Sequence, residues 1–477
     1  MQLRMGTLVL VAGAVAVAAG PARAQVDVGP ARTISEVGAV GPMHTAVDVG
    51  SGAGRFTALW SDNRDGCPVS TTNINDCAGA VRHVYGAGLD ATGALDRPQI
   101  GVDVDPDDTT SPALAFGDTH YLAVFWRAGS LWAVALDTIG GPDGTQPTFE
   151  LAASAGNEIV VKPAVAWATA SWLVVWPTGA GLRAARVSPD TGLVDVTPLE
   201  LTTGTEDGVY ERPRIACDGG TCMVVFVDGN GDLRGVRVAE SDGAVLDTPP
   251  LAIAPQAMYG PTSAPAVASD GSGYLVTFST GSAGAGAVQA VLVEPDGTVP
   301  QLNRATIHAG SDAAEPAVAA TGSGFLVVWS QRDPGDVGNS WGGIGIRGMR
   351  VERGAGGLDL LDPGGFPIVN RLDVYEAAPR VAGGGGRFYA VWLERADSMT
   401  QADTPFGVGG ALIELAGGTP GEVDAGPGGG APDAGAGDGG GKDASGCAVG
   451  SSRGPGAVAL ALLGLLALAA RRRRRQR

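Results

Sequence analysis

Residues 315–329 read Glu315-Pro-Ala-Val-Ala-Ala-Thr-Gly-Ser-Gly-Phe-Leu-Val-Val-Trp329. A short alternating run, a glycine turn and a β-branched run closed by an aromatic describe a hairpin of two packed strands. The same order stands in Lys162-Pro-Ala-Val-Ala-Trp-Ala-Thr-Ala-Ser-Trp-Leu-Val-Val-Trp176. Working outward, it recurs along the whole body of the chain. Its leading positions are Thr45, Pro112, Pro163, Pro213, Pro265, Pro316 and Pro379, and its aromatic positions are Trp60, Trp126, Trp176, Phe226, Phe278, Trp329 and Trp392. From the second copy on, the aromatics are spaced 50, 50, 52, 51 and 63 residues apart. Seven copies at a period near 50 are the signature of a repeat fold rather than of independent domains.

Each copy reads as four short strands. In the fourth these are 213–216, 222–227, 233–238 and 245–253, with hairpin turns at Asp228-Gly-Asn-Gly and Ser241-Asp-Gly. The pattern predicts an all-β, seven-bladed β-propeller over residues 25–416. The seventh copy offers only three strands, and Val28-Gly-Pro-Ala-Arg-Thr-Ile-Ser-Glu-Val37 looks like an orphan fourth. It is expected to close the ring by completing the last blade; an open β-solenoid is the alternative. Five of the nine tryptophans fall at the repeat's aromatic position, which predicts packing between blades rather than a sugar-stacking row. Composition agrees, because 77 Gly and 31 Pro in 477 residues exclude a long-helix protein.

The ends read as addresses. Arg4, an apolar run from Gly6 to Gly20 and Pro21-Ala-Arg-Ala24 describe a secretory signal peptide over 1–24, cleaved between Ala24 and Gln25. A retained membrane helix would need about 20 apolar residues. Residues 417–446 hold 13 Gly in 30 positions and read as a flexible acidic linker. Cys447 follows, then the turn-like 450–456, an apolar run at 457–470 and five arginines at 471–475. This order resembles the MYXO-CTERM surface-sorting tail of myxobacterial-type exported proteins. The resemblance covers 447–477 only. It implies that a sorting protease processes the tail at Cys447 and that the mature protein is lipid-anchored at the cell surface. A plain C-terminal transmembrane anchor is the alternative, and membrane contact is expected through this tail alone.

Residues 1–24 carry two Arg and 448–477 carry seven, with no acid in either, so the segment between them holds 50 acidic against 23 basic side chains. Such a charge repels nucleic acid and favours cations or basic partners. Only two lysines occur, Lys162 and Lys442. Cysteine usage fits an oxidising compartment, with Cys67 paired to Cys77 and Cys217 to Cys222, leaving Cys447 for the tail.

Catalytic constellations are not found. The histidines His44, His83, His120 and His308 form no ligand spacing. Gly450-Ser-Ser-Arg-Gly454 matches a nucleophile elbow but lies in the sorting tail, and Gly343-Ile-Gly-Ile-Arg-Gly348 matches a dinucleotide fingerprint but overlaps a predicted strand. Asp228, Asn230 and Asp232 alternate like calcium ligands, yet no later acid completes the set, and a hairpin turn is the plainer reading. No other cofactor is expected.

Loop lengths are more informative. Three connections between second and third strands are long, at 61–80, 330–345 and 393–408. They belong to the first, sixth and seventh copies, which are consecutive around a closed ring. Their candidate binding residues are Asp62, Arg64 and Asp65, then Arg332, Asp333 and Trp341, then Glu394, Arg395 and Asp397. The same face should carry the acidic connections Asp103, Asp105, Asp107 and Asp108, Glu206 and Asp207, and Asp373 and Glu376. Long loops on a rigid scaffold are where binding concentrates; as exposed ion pairs, the same residues would do little. The expectation is a non-catalytic, surface-tethered binding propeller for an extracellular glycan, protein or cation. The alternatives are a polysaccharide hydrolase or lyase and a calcium-stabilised envelope component.

Overall fold

The computed structural model describes residues 26–35, 46–64, 81–144, 147–153, 162–190, 192–195, 197–202, 211–255, 265–280, 286–322, 324–332, 343–371, 374–396 and 407–415. These build seven antiparallel blades around one axis. Blade one is Ala46–Gly52, Arg55–Asp62, His83–Leu89 and Leu95–Asp103, from the inner strand outward. Blade two is Thr109–Phe116, Tyr121–Arg127, Ser130–Leu136 and Phe149–Ala152. Blade three is Ala164–Trp167, Trp172–Thr178 and Gly181–Ser188, with its outer edge split into Gly192–Leu193 and Leu199–Glu200. Blade four is Glu211–Cys217, Thr221–Val227, Leu233–Ala239 and Leu251–Ala254.

Blade five holds Ala266–Ser269, Tyr274–Ser279 and Gly286–Val293, and its outer strand is the front of the long strand Arg304–Thr321. The back of that strand is the inner strand of blade six, so the two blades share one continuous sheet. Blade six continues with Gly324–Arg332, Ile344–Gly354 and a split outer edge, Gly357–Leu360 and Phe366–Val369. Blade seven is Val374–Gly384, Arg387–Ala396 and Gly407–Leu415. Its outer edge is supplied by the N-terminal Val26–Val28 and Arg32–Ser35, both antiparallel to Gly407–Leu415, with Val28 opposite Ile413 and Arg32 opposite Gly410. The orphan strand therefore closes the ring as expected, and the open solenoid is ruled out.

The core lies between blades, which is why the repeat keeps its aromatic. Trp60, Trp329 and Trp392 are fully buried, and Trp126, Trp176, Phe226 and Phe278 nearly so. Each packs its second strand against a neighbour's face: Trp60 between blades seven and one, Trp126 and Trp176 between two and three, Phe278 between four and five. Burying rings of this size supplies most of the apolar area that holds adjacent blades together. On one face, an Arg on the third strand clamps an Asp in the turn that follows. Arg186–Asp195, Arg237–Asp247 and Arg350–Asp362 repeat the same geometry, with the arginine's backbone N–H and its guanidinium both donating to one carboxylate.

The sequence reading needs one adjustment. In blade four the outer strand starts at Leu251, not at 245; Val245 makes only an isolated bridge to Val238. Pro249 and Pro250 lack the N–H that a ladder requires, which delays pairing until after them. Of the Gly343-Ile-Gly-Ile-Arg-Gly348 run, all but the first glycine lies in the strand Ile344–Gly354, so it is not a phosphate loop leading into a helix. Cys217 and Cys222 are disulfide-bonded as expected. Cys67, Cys77, the cleavage site Ala24/Gln25, the 417–446 linker and Cys447 with its tail lie outside the described residues. Among the described residues, no helix is long and apolar enough to cross a membrane.

Candidate functional site

The three long connections leave blades that are adjacent in the ring: the inner strand of blade seven packs against those of blades six and one. Of the candidate residues, Asp62, Arg64, Arg332, Glu394 and Arg395 are described, whereas Asp65, Asp333, Trp341 and Asp397 are not. The described ones mark the roots of the loops, and the roots share a device. Trp60 Nε1 donates to Asp62 Oδ2 (2.9 Å), Trp329 Nε1 to Gln331 Oε1 (3.1 Å) and Trp392 Nε1 to Glu394 Oε2 (3.1 Å). An acceptor two residues beyond the tryptophan therefore latches each long loop to the core. In blades two and three the corresponding residues are Ala128 and Thr178, and no long loop follows.

The latch of blade one is the most developed. Asp62 is fully buried and accepts from Arg64 through the backbone N–H (3.0 Å) and through Nε (2.9 Å) as well as from Trp60. Arg64 in turn lies over the Tyr85 ring at 4.0 Å and donates to Gln99. Asp62 thus commits its carboxylate to Trp60 and Arg64 at the root of the connection. In blade seven, Glu394 and Glu376 stand opposite each other on paired strands. Arg371 bridges them, through Nε to Glu376 Oε1 (2.6 Å) and through Nη2 to Glu394 Oε2. Burial pushes the Glu376 carboxyl up to about 7 despite Arg371, and its Oε2 has no hydrogen-bond partner. Arg395 lies over the Tyr375 ring at 5.3 Å, repeating the cation–aromatic stack of Arg64 and Tyr85.

The acidic connection between blades one and two is answered by arginine. Arg82 binds Asp108 through its backbone N–H (2.8 Å) and Nη2 (2.6 Å), and Arg127 binds Asp103 and, through Nη1, Asp105 (3.1 Å). Arg127 also stacks on Trp132 at 4.5 Å. The described part of this face is therefore a lattice of arginine, carboxylate and aromatic groups rather than a bare acidic surface. Glu206, Asp207 and Asp373 lie outside the described residues.

The Asp228–Asp232 turn shows why it reads as a hairpin. Asp228 Oδ1 accepts the backbone N–H of Asn230 and Asp232 (both 2.9 Å), while Arg234 reaches Asp228 Oδ2 and Asp232 Oδ2 (both 2.9 Å). A guanidinium thus occupies the mouth of the turn, where the carboxylates would have met a calcium ion.

A second cluster escaped the sequence reading. On the inner strands, the position after the leading residue is Ala46, Ala113, Ala164, Ala266 and Ala317 in five blades, but Arg214 and Arg380 in blades four and seven. Two residues further on, six blades have alanine and blade one has Asp48. Lys162, just before its proline, sends Nζ to Asp48 Oδ2 (3.1 Å) and to the Val47 carbonyl (3.1 Å), from blade three to blade one. All four side chains are buried. Desolvation brings Lys162 down to about 7; Asp48 opposes the shift, and the Arg380 and Arg214 charges add to it. Departures from the alanine consensus were the signal that could have found this cluster.

No protein-family model matches the chain, and no curated protein does. Among solved structures, the chain is similar to the BP39L lectin from Burkholderia pseudomallei, at 12% identity and TM-score 0.46, covering 83% of this chain and 97% of that one. It is similar to the phage phi92 endosialidase at 11% identity and TM-score 0.45, covering 81% of this chain and 69% of that one. It is also similar to the WD40 domain of Toxoplasma gondii coronin, at 9% identity and TM-score 0.43, covering 84% and 89%. These proteins differ in what their names say they do, and the chain's own sheets make it a seven-bladed β-propeller.

Proposed function

We propose that this protein is a non-catalytic binding propeller, exported and tethered at the cell surface through its processed C-terminal tail, that holds an extracellular glycan on the loop face of blades one, six and seven. The observation that carries the reading is the Trp-latched root repeated at Asp62, Gln331 and Glu394, in the three blades with long connections. The roots stand on adjacent blades, and rigid bases lower the ordering cost of binding. The Arg–carboxylate–aromatic lattice around them favours a polar ligand rich in hydroxyls over a free cation, because its acids are already engaged by Arg64, Arg82, Arg127 and Arg371. The tail resemblance and signal peptide support the address.

The test is an array of bacterial extracellular polysaccharides probed with the purified protein and with a variant whose three loops are cut to four-residue turns. Binding by the first and not the second, with unchanged circular dichroism, supports the reading. Equal binding by both, or none by either, removes it. The Glu376–Glu394 pair favours one rival, polysaccharide cleavage, since two facing carboxyl groups, one of them raised to about 7 by burial, have the form of an acid–base pair. New reducing ends or unsaturated sugars released from any polysaccharide of the panel, and lost in Glu376→Gln, would establish that rival.

A further inference from the structure

A small cavity lies at the root of the 330–345 connection in blade six. Gln331 and Arg332 end the second strand, Gly345 and Arg347 stand near the start of the third, and Val369 and Asn370 close the outer edge; all six line the cavity. Gly345 is opposite Gln331, and a Cβ there would lie 2.5 Å from the Val369 carbonyl oxygen and 3.2 Å from Asn370 Cβ. The missing side chain lets the outer edge close in on the third strand and leaves a hollow of about 60 Å³ between the polar side chains. A cavity that accepts a six-membered ring measures about 150 Å³, and one water takes about 30 Å³. This one therefore takes a substituent and not a sugar ring.

Its polar wall is rich in donors. Two guanidinium groups and two side-chain amides line it and no carboxylate does, in a chain with 50 acidic side chains against 32 basic. Arg347 is the key group. Elsewhere the third-strand arginines Arg186, Arg237 and Arg350 each clamp an aspartate. Arg347 instead donates through Nη2 to the carbonyls of Gly364 (3.3 Å) and Gly365 (2.9 Å), and its buried Nε–H has no acceptor. Carbonyl oxygens orient a guanidinium without neutralising it. A buried donor without an acceptor is costly, and an anionic oxygen is the acceptor that offsets it best. The second wall is held from the core, because the Trp329 indole N–H donates to Gln331 Oε1.

We propose that this cavity receives an anionic substituent of the glycan, a carboxylate or a sulfate ester, so that the loop face recognises acidic polysaccharides. The inference rests on the glycan reading of that face and adds the charge of the ligand. Net charge alone points the other way, and this sharpens the selection: an acidic protein repels a polyanion except where a local set of donors receives it.

The test measures binding of the full purified protein to alginate, dextran sulfate and neutral dextran at fixed ionic strength. Alginate with its carboxyl groups reduced to alcohols is the matched control. Binding to alginate that is lost on reduction assigns a carboxylate, and binding to dextran sulfate alone assigns a sulfate ester. Arg347→Gln should weaken either at least about tenfold, with unchanged circular dichroism. Added salt should weaken the wild type more than the variant. If the variant does not fold, the comparison of alginate with its reduced form decides. Equal binding of those two with no response to dextran sulfate, or equal binding by a folded Arg347→Gln, overturns the inference and leaves the glycan reading in place. Silence toward all four probes overturns it as well, whereas the glycan reading falls only on the wider array.

Discussion

Lys162 makes the stability of this propeller rise with pH in a range where most proteins are flat. Its ordinary value is 10.5 and the buried site brings it to about 7. Between these values the unfolded chain binds a proton that the folded chain does not, so stability increases as pH rises. Integrated from pH 7 to pH 10, one such group contributes about 3–4 kcal/mol, with a slope approaching 1.4 kcal/mol per pH unit. Lys442 lies beyond the propeller. Tyr274, Tyr375 and Tyr389, raised by burial above their ordinary value, oppose the rise only as pH nears 10, where the unfolded chain begins to lose their protons first, so the slope is read between pH 7 and pH 9. Urea unfolding at half-unit steps from pH 7 to pH 10 measures the rise directly. Lys162→Met should abolish it, whatever the variant's stability at pH 7, because the amine whose proton is lost on folding is gone. A flat wild-type profile, or a variant that keeps the rise, would refute the assignment of a buried, proton-shedding lysine.

On the acid side the sign is the reverse. Glu376 has an ordinary value of 4.5 and is raised to about 7, so its contribution is fully present below pH 4.5 and lost as pH climbs to 7. Glu376→Gln should remove a slope worth up to about 3 kcal/mol, read from melts at pH 5 and pH 7.5. Asp62→Ala leaves the buried Trp60 indole and Arg64 without their acceptor; it should cost about 2–4 kcal/mol and expose the 61–80 loop to limited proteolysis before the rest of the ring. Deleting residues 26–35 strips the outer edge of blade seven, and the single cooperative melt should broaden or split. The Cys217–Cys222 disulfide closes only a very short loop, so the chain-entropy argument gives a loss of about 2 kcal/mol on reduction, read from urea unfolding with and without reductant.

The architecture was legible because a propeller repeats its own constraints. Trp60, Trp329 and Trp392 recur where the core between blades demands a large ring, and the seventh copy announced a missing strand that residues 26–35 supply. Outer strands were harder to read. They pair on one side only, so weak stretches such as 192–200 and 357–369 break into two pieces without changing the repeat, and Arg304–Thr321 runs through two blades unbroken. The burial of a loop-root residue is not legible either: Asp62 reads as a surface acid beside Arg64, and only the fold shows that Trp60 holds it inside. The axial cluster was invisible for a related reason. Arg214 and Arg380 sit in short strands where a charged residue normally marks the solvent side, and nothing local says that an inner strand of a ring has no solvent side. In the sequence Lys162 stands out only as one of two lysines.

The central claim is that the latched loops of blades one, six and seven form one ligand surface. Hydrogen–deuterium exchange of the full protein, alone and with extracellular polysaccharide extracted from the cells that make it, tests this most directly. The account predicts slowed exchange confined to 61–80, 330–345 and 393–408, with the Trp-latched roots already slow in both states. Protection elsewhere on the ring, or release of shortened chains from the polysaccharide during the incubation, would contradict it.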